Sequence, residues 1–270
     1  MGMGYDEKTL AKNPAFAKAH LERNQRNVRR SINHPSVIVW SLGNEAGDGP
    51  NFDACYDWVK AYDPSRPVHY ERAVYNNGGR NTDIVCPMYW NYDQCEKYLR
   101  NNPRKPLIQC EYAHAMGNSL GGFREYWELI RKYPHYQGGV IWDFVDQSLR
   151  KTGKNGAMIY GYGGDWNPYD ASDWNFCDNG LIPPDRVPNP HMHEARYWQQ
   201  PVWTTLGADR RSLTVFNENF FRPLDNCYLR WTVLRDGEPV RSGIVTDLRV
   251  APQQNATVVL PYDQIGRAHV

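Results

Sequence analysis

The sequence predicts an α/β chain of parallel strand–helix units followed by a smaller all-β sandwich, and three observations carry the expectation. Between residues 37 and 145, short β-branched runs alternate with segments of helical period. The runs are apolar without alternation, as strands of a parallel sheet covered on both faces are. Beyond residue 202 the helical period gives way to strand-like alternation. Five strands in the first part suit either an open doubly wound sheet or part of a (β/α)8 barrel. No GxGxxG or GxxxxGK[ST] follows any of them, which weighs against a nucleotide-binding doubly wound fold.

The elements follow in order. Residues 15–32 read as a polar helix with Phe16, His20, Val28 and Ile32 as a sparse apolar face, ended by Asn33-His34-Pro35. The run 37–42 is a buried strand, 52–61 a helix, and 68–71 and 84–89 are strands. A helix over 94–99 precedes a strand over 107–110. The segment 123–131 sets Phe123, Tyr126, Trp127 and Ile130 on one helical side, and a strand over 140–145 closes the series. Residues 151–201, rich in Gly, Asn, Asp, Pro and Trp, read as one long irregular stretch. Strands over 202–206, 213–215, 227–234 and 256–260 follow, with a Asp236-Gly237 turn suited to a hairpin.

With 31 basic and 30 acidic residues in 270, the net charge of +1 excludes a global field for nucleic acid or an acidic membrane surface. Ten Trp, 18 Tyr and 8 Phe suit stacking on sugar faces, although core packing explains most of them. The six cysteines occur singly without a CxxC spacing, so no zinc knuckle is indicated and reduced thiols are expected. No apolar run reaches the ~20 residues of a membrane helix, and the first residues lack a signal-peptide core.

Acids just beyond the C-terminal ends of parallel strands are the candidates for chemistry, because barrel enzymes keep their sites there. Glu45 follows the run 37–42 and Glu111 follows the run 107–110; Asp48, Asp143 and Asp146 compete with them. A retaining glycosidase needs such a pair, a nucleophile and a proton donor ~5–5.5 Å apart. His191, His193 and Glu194 could form a metal cluster, but surface histidines in a proline-flanked loop are the favoured reading.

Several motifs stand in one order: Asn33-His34-Pro35-Ser36, Trp40-Ser41-Leu42-Gly43-Asn44-Glu45, Cys86-Pro87-Met88-Tyr89, and Cys110-Glu111-Tyr112-Ala113-His114-Ala115-Met116-Gly117-Asn118-Ser119. Gly138-Gly139-Val140-Ile141-Trp142-Asp143 and Phe176-Cys177-Asp178-Asn179-Gly180-Leu181 continue them. Together they resemble the large bacterial β-galactosidases of glycoside hydrolase family 2. The resemblance implies the C-terminal half of a (β/α)8 TIM barrel over residues 1–195, part of an immunoglobulin-like sandwich over 196–264, and a non-native tail over 265–270, where the family pattern breaks.

It also implies roles. Glu45 would be the general acid/base and Glu111 the nucleophile, cleaving terminal β-D-galactosides such as lactose through a covalent galactosyl-enzyme. Asn44 would contact the sugar 2-hydroxyl, Met88 and Tyr89 would lie beside the nucleophile, His114 and Asn179 would bind the sugar, and Trp142 would form its apolar floor. Sodium would be held by the Phe176 carbonyl and Asn179 together with an aspartate from an earlier domain. Magnesium would be held by Glu45 and an upstream Glu-x-His whose histidine is replaced here by Met1. The expected partners are a β-galactoside, the absent N-terminal half and further copies in a homo-oligomer, with no nucleic acid or membrane partner. A cytoplasmic location is preferred to a periplasmic one. The rival readings are β-glucuronidase activity and an inert or complementing fragment that binds sugar only.

Overall fold

The polar helix expected near the start forms as α1, Ala17–Ser31, after a 3-10 turn at Pro14–Phe16 capped by the Asn13 side chain. This computed structural model describes residues 8–76 and 79–262. Met1 and the expected tail at 265–270 therefore lie outside the described residues. The chain divides into two units between Trp198 and Gln199.

In the first unit, α1 is followed by β1 (Trp40–Ser41), α2 (Pro50–Tyr62), β2 (Val68–His69) and a 3-10 helix at Glu71–Asn76. Next come α3 (Tyr92–Leu99), β3 (Leu107–Tyr112), α4 (Phe123–Lys132) and β4 (Tyr136–Ile141). Every pairing along this series is parallel and joins neighbours in chain order. β1 lies beside β2, His69 bridges to Ile84, Val85 bridges to Leu107, and β3 lies beside β4. A doubly wound sheet would reverse its order at a switch point. An unreversed arc is the wall of a barrel. Among the described residues the arc does not close on itself.

The helices cover one face of this arc. Trp40, Leu42, Val68 and Tyr70 pack with Phe52, Cys55 and Val59 of α2, while Leu107 and Tyr136 pack with Cys95 and Leu99 of α3. The other face carries Val39, His69, Cys86, Ile108, Cys110 and Val140 around one hollow. The expectation that the run 37–42 is a fully buried strand is corrected here. Only Trp40 and Ser41 pair, and Ile38 is 72 % exposed, because among the described residues the ladder reaches this run from β2 alone. The expected strand 84–89 likewise holds by single bridges. At β4, a Cβ on Gly139 would lie 2.8 Å from the Tyr112 ring, and Gly138 has φ +128 in open space.

Residues 151–201 contain more regular structure than expected. β5 (Leu149–Thr152) and β6 (Met158–Gly161) form an antiparallel hairpin, followed by the one-turn helix α5 (Gly163–Trp166) and by α6 (Pro190–Trp198). The composition that reads as a loop supplies the turn, with Gly156 at φ +77, and Pro190 opens a helix as proline does at a first turn. His191 and His193 are thus helical rather than in a loop. Two positions apart they point to different sides, His191 toward the Gly180 carbonyl at 3.2 Å, and Glu194 accepts the Trp198 indole at 2.8 Å.

The second unit contains β7 (Val202–Leu206), β8 (Ser212–Asn217), β9 (Leu229–Arg235), β10 (Glu238–Val245) and β11 (Asn255–Val259). β8 lies between β11 and β7, and β9 pairs with β10 through Asp236 and Gly237, both at positive φ. Leu213 and Val258 of the first sheet share a core with Leu229 and Val245 of the second, around Val215, Leu224, Leu248 and Val250. Among the described residues of both units, no helix is long and apolar enough to cross a membrane.

Candidate active site

The ladder of β1 reaches Leu42, whose N–H donates to the His69 carbonyl at 3.1 Å. The chain then turns through Gly43 at φ +151, and Glu45 itself sits at φ +51. That left-handed conformation is rare for a residue with a side chain and needs support from its surroundings. The Glu45 N–H donates to Glu71 Oε2 at 3.2 Å. Its carboxylate is 42 % exposed, with Arg72 Nη2 3.7 Å from Oε1. Asn44 is exposed and lines a hollow with His20, Asn24 and Phe52 on the α1 side.

Glu111 lies inside β3, bridged to Met88, which is half-buried. The Tyr89 N–H donates to the Glu111 carbonyl at 2.8 Å, and the Tyr89 hydroxyl donates to Glu111 Oε2 at 2.7 Å. Burial, and then the Glu111 carboxylate accepting this bond, push the Tyr89 phenol up, so the proton stays on the tyrosine. The His114 ring stands 5.8 Å from Tyr89 and 5.8 Å from Phe176. Trp142 is tied to the same strand ends, its carbonyl accepting from Ala115 at 2.7 Å. Met88, Tyr89, Glu111, His114, Trp142 and Phe176 are thus linked.

One residue that the sequence reading did not single out stands against Glu45. Glu71 is 2 % exposed, and its Oε1 lies 2.7 Å from Arg72 Nε. Burial raises its carboxyl to about 7; Arg72 opposes the rise, and the negative charges of Glu45 and Glu111 both add to it. The signal that finds Glu71 is the one that finds its neighbours, an acid at the end of a parallel strand.

The competing acids are engaged locally. Asp48 accepts from Asn81 Nδ2 at 2.7 Å and from the Gly49 N–H at 2.9 Å, and Asp146 accepts from the Gly180 N–H at 2.6 Å. Asp143 accepts from the Gln147 amide, and burial raises its carboxyl.

For the expected cations the two residue sets differ. Asn179 is fully buried and donates through Nδ2 to the Phe176 carbonyl, while its Oδ1 has no hydrogen-bond partner. A buried amide oxygen without a donor, beside a backbone carbonyl, fits part of an alkali-cation shell. For magnesium Glu45 stands alone beside the Arg72 guanidinium, which does not fit a cation that takes six oxygens. Among the described residues no three His, Cys, Asp or Glu gather as ligands.

A parallel, unreversed arc with acids at its C-terminal rim defines the class, a fold of the TIM-barrel type with its site where such folds carry one. Comparison with known proteins gives the particular family. Residues 2–204 match "Glycosyl hydrolases family 2, TIM barrel domain", and residues 213–269 match "Beta-galactosidase, domain 4". The chain belongs to glycosyl hydrolase family 2. It is 46 % identical over 266 residues to a curated β-galactosidase of Alteromonas mediterranea, covering 92 % of this chain and 25 % of that protein. The chain thus spans about a quarter of the length of this relative. Among solved structures, a Bacteroides uniformis β-glucuronidase aligns with a TM-score of 0.50 at 15 % identity, over 95 % of this chain and 35 % of its own. A β-glucuronidase from an uncultured Clostridium sp. aligns with a TM-score of 0.50 at 17 % identity, over 73 % and 38 %. At these identities the likeness concerns the fold alone.

Proposed function

We propose that this chain carries the two catalytic carboxylates of a retaining β-galactosidase. The observation that carries the reading is that Glu45, just beyond β1, and Glu111, near the C-terminal end of β3, lie on one parallel arc, with the Glu45 N–H bonded to the buried Glu71 and the Tyr89 hydroxyl bonded to Glu111. Glu111 attacks the anomeric carbon of a terminal β-D-galactoside as Glu45 protonates the departing oxygen, leaving a galactosyl ester on Glu111. Glu45 then takes a proton from water as the water oxygen attacks the anomeric carbon and the bond to Glu111 breaks, which releases galactose with retained configuration and frees the Glu111 carboxylate.

The Tyr89 hydroxyl donates to the carboxylate oxygen of Glu111 and fixes which oxygen faces the sugar. Trp142 offers an apolar face to the ring, and Met88, His114 and Asn179 surround it. Asn44 would have to turn toward the sugar to reach its 2-hydroxyl. Sodium bound at the Phe176 carbonyl and Asn179 would supply positive charge near sugar hydroxyls. The described residues do not complete a magnesium site, and no step is assigned to one.

The same reading takes 1–195 as the C-terminal half of the barrel and the strands that follow as part of an immunoglobulin-like sandwich. Six unbridged cysteines support a cytoplasmic location. The partners are a β-galactoside, the N-terminal half of the enzyme and further copies of it.

The test is turnover of p-nitrophenyl β-D-galactoside by this chain, with the remaining part of a family 2 β-galactosidase supplied in trans when the chain alone is silent. Glu111→Gln should lower kcat by about 10⁴- to 10⁶-fold, as removal of other covalent nucleophiles does. A 2-fluoro galactoside with a dinitrophenyl leaving group should label Glu111, read by peptide mass. Turnover that survives Glu111→Gln overturns the nucleophile assignment, and preference for a β-glucuronide overturns the substrate. Silence in every combination points to a sugar-binding fragment.

A further inference from the structure

We infer that Glu71 is a positioning residue for Glu45, holding the acid/base through both its backbone and its carboxylate. The inference rests on the reading of Glu45 given above. The ladder that orders β1 ends at Leu42, three residues short of Glu45. Beyond that point Glu45 takes up φ +51, which its own side chain disfavours. Such a conformation persists where neighbours over-determine it. The neighbour here is Glu71 Oε2, which accepts the Glu45 N–H at 3.2 Å from a side chain that is itself buried.

Glu71 acts on the Glu45 side chain as well. Arg72 Nε lies 2.7 Å from Glu71 Oε1, and the same guanidinium reaches Glu45 Oε1 with Nη2 at 3.7 Å. Glu71 therefore anchors the peptide of Glu45 directly and its carboxylate through Arg72. Glu111 has its own support, since its carbonyl accepts from the Tyr89 N–H at 2.8 Å and its carboxylate from the Tyr89 hydroxyl at 2.7 Å. Loss of Glu71 should thus disturb proton transfer to the leaving oxygen and spare the nucleophile.

Two measurements test this. Hydrogen exchange read by peptide mass should show the Glu45 amide protected in this chain. In Glu71→Ala it should exchange several-fold to about tenfold faster, as loss of its hydrogen-bond acceptor implies, with residues 107–112 unchanged. Glu71→Gln retains an acceptor oxygen and should keep the protection. In the activity arm, kcat/KM for dinitrophenyl β-D-galactoside, whose leaving group needs no proton, is compared with that for lactose, whose leaving group does. Glu71→Ala should lose on the order of 10²-fold on lactose and only a few-fold on the dinitrophenyl substrate, the range of general acid catalysis.

An equal loss on both aglycones, or an unchanged Glu45 amide, overturns the inference and leaves Glu71 as a structural ion-pair partner. If exchange rises across the whole Ala variant, the aglycone comparison is decided in Glu71→Gln. There a loss confined to lactose supports the inference and a uniform loss overturns it. If the unsubstituted protein neither turns over galactosides nor is labelled at Glu111, it is the β-galactosidase reading that fails, and the exchange result still stands.

Discussion

Glu111 sits in the six-residue β3 and is bridged to Met88 on one side, while the pairing to β4 skips from Gln109 to Tyr112; the strand that leads to Glu45 pairs over only two residues. Around Glu111 backbone bonds to the 87–89 segment set the geometry, with the Cys110 N–H donating to Pro87 and the Tyr89 N–H to Glu111, and the Tyr89 hydroxyl adds one side-chain bond. Around Glu45 the work falls to buried polar side chains. Glu71 and Arg72 hold the turn, and below it Asp63 holds β1 itself. Asp63 accepts from Trp40 Nε1 at 2.8 Å and from Arg66 Nη1 at 2.8 Å, while the Arg66 guanidinium stacks 5.2 Å over Trp40. A ladder spreads its support over many weak bonds, so no single substitution removes it. A short strand fixed by one buried charge can be released by one.

That contrast orders the expected effects. Asp63→Ala leaves Arg66 without its buried partner and should cost about 3–5 kcal/mol in urea unfolding. The Ser65 hydroxyl first, then the Trp40 indole and Arg66, hold the Asp63 carboxyl well below the usual range. A depressed carboxyl contributes stability that is complete above its unfolded value of about 3.9 and is lost as pH falls toward the folded one. Acid unfolding of Asp63→Ala should therefore be flatter below about pH 4 than that of the unsubstituted chain. An unchanged acid limb would show that Asp63 is not what holds β1.

On the Glu111 side, Tyr89→Phe removes one bond to a charged acceptor and should lower galactosidase kcat/KM about 10- to 100-fold with little change in stability. A loss comparable to Glu111→Gln would mean that the ladder does not suffice to aim the nucleophile. The smallest effect is expected at α3. Asn91 accepts the Gln94 N–H at 3.0 Å while Gln94 returns a bond to the Asn91 N–H, and Asn91→Ala should cost about 1 kcal/mol. A much larger cost would indicate that β3 depends on its helix more than on its partners.

How far these regions were legible in the sequence follows the same division. The run 107–110 reads as a strand because it is one, bounded by Pro106 and paired on both sides. The run 37–42 has the stronger strand composition and forms the shorter strand, because composition reports what a segment can pair with and not whether a partner is present. The motifs brought Tyr89, Glu111, His114 and Phe176 into one list, and the fold joins them. Glu71 was missed although it too ends a parallel strand. An acid that follows a single tyrosine reads as an exposed residue, and its burial depends on Arg72 folding back over it. In α6, Pro188 and Pro190 suggested a loop, yet the second proline starts a helix.

The neighbouring glycines of β4 face different barriers to change. At Gly139 any side chain would enter the ring of Tyr112, the residue next to Glu111, so a smaller residue at 112 could open that position. At Gly138 there is room, but the backbone angle of +128° excludes L-residues whatever surrounds them. Genetic drift can therefore reach one of these codons through a compensating change elsewhere, whereas the other stays closed for as long as the strand keeps its path.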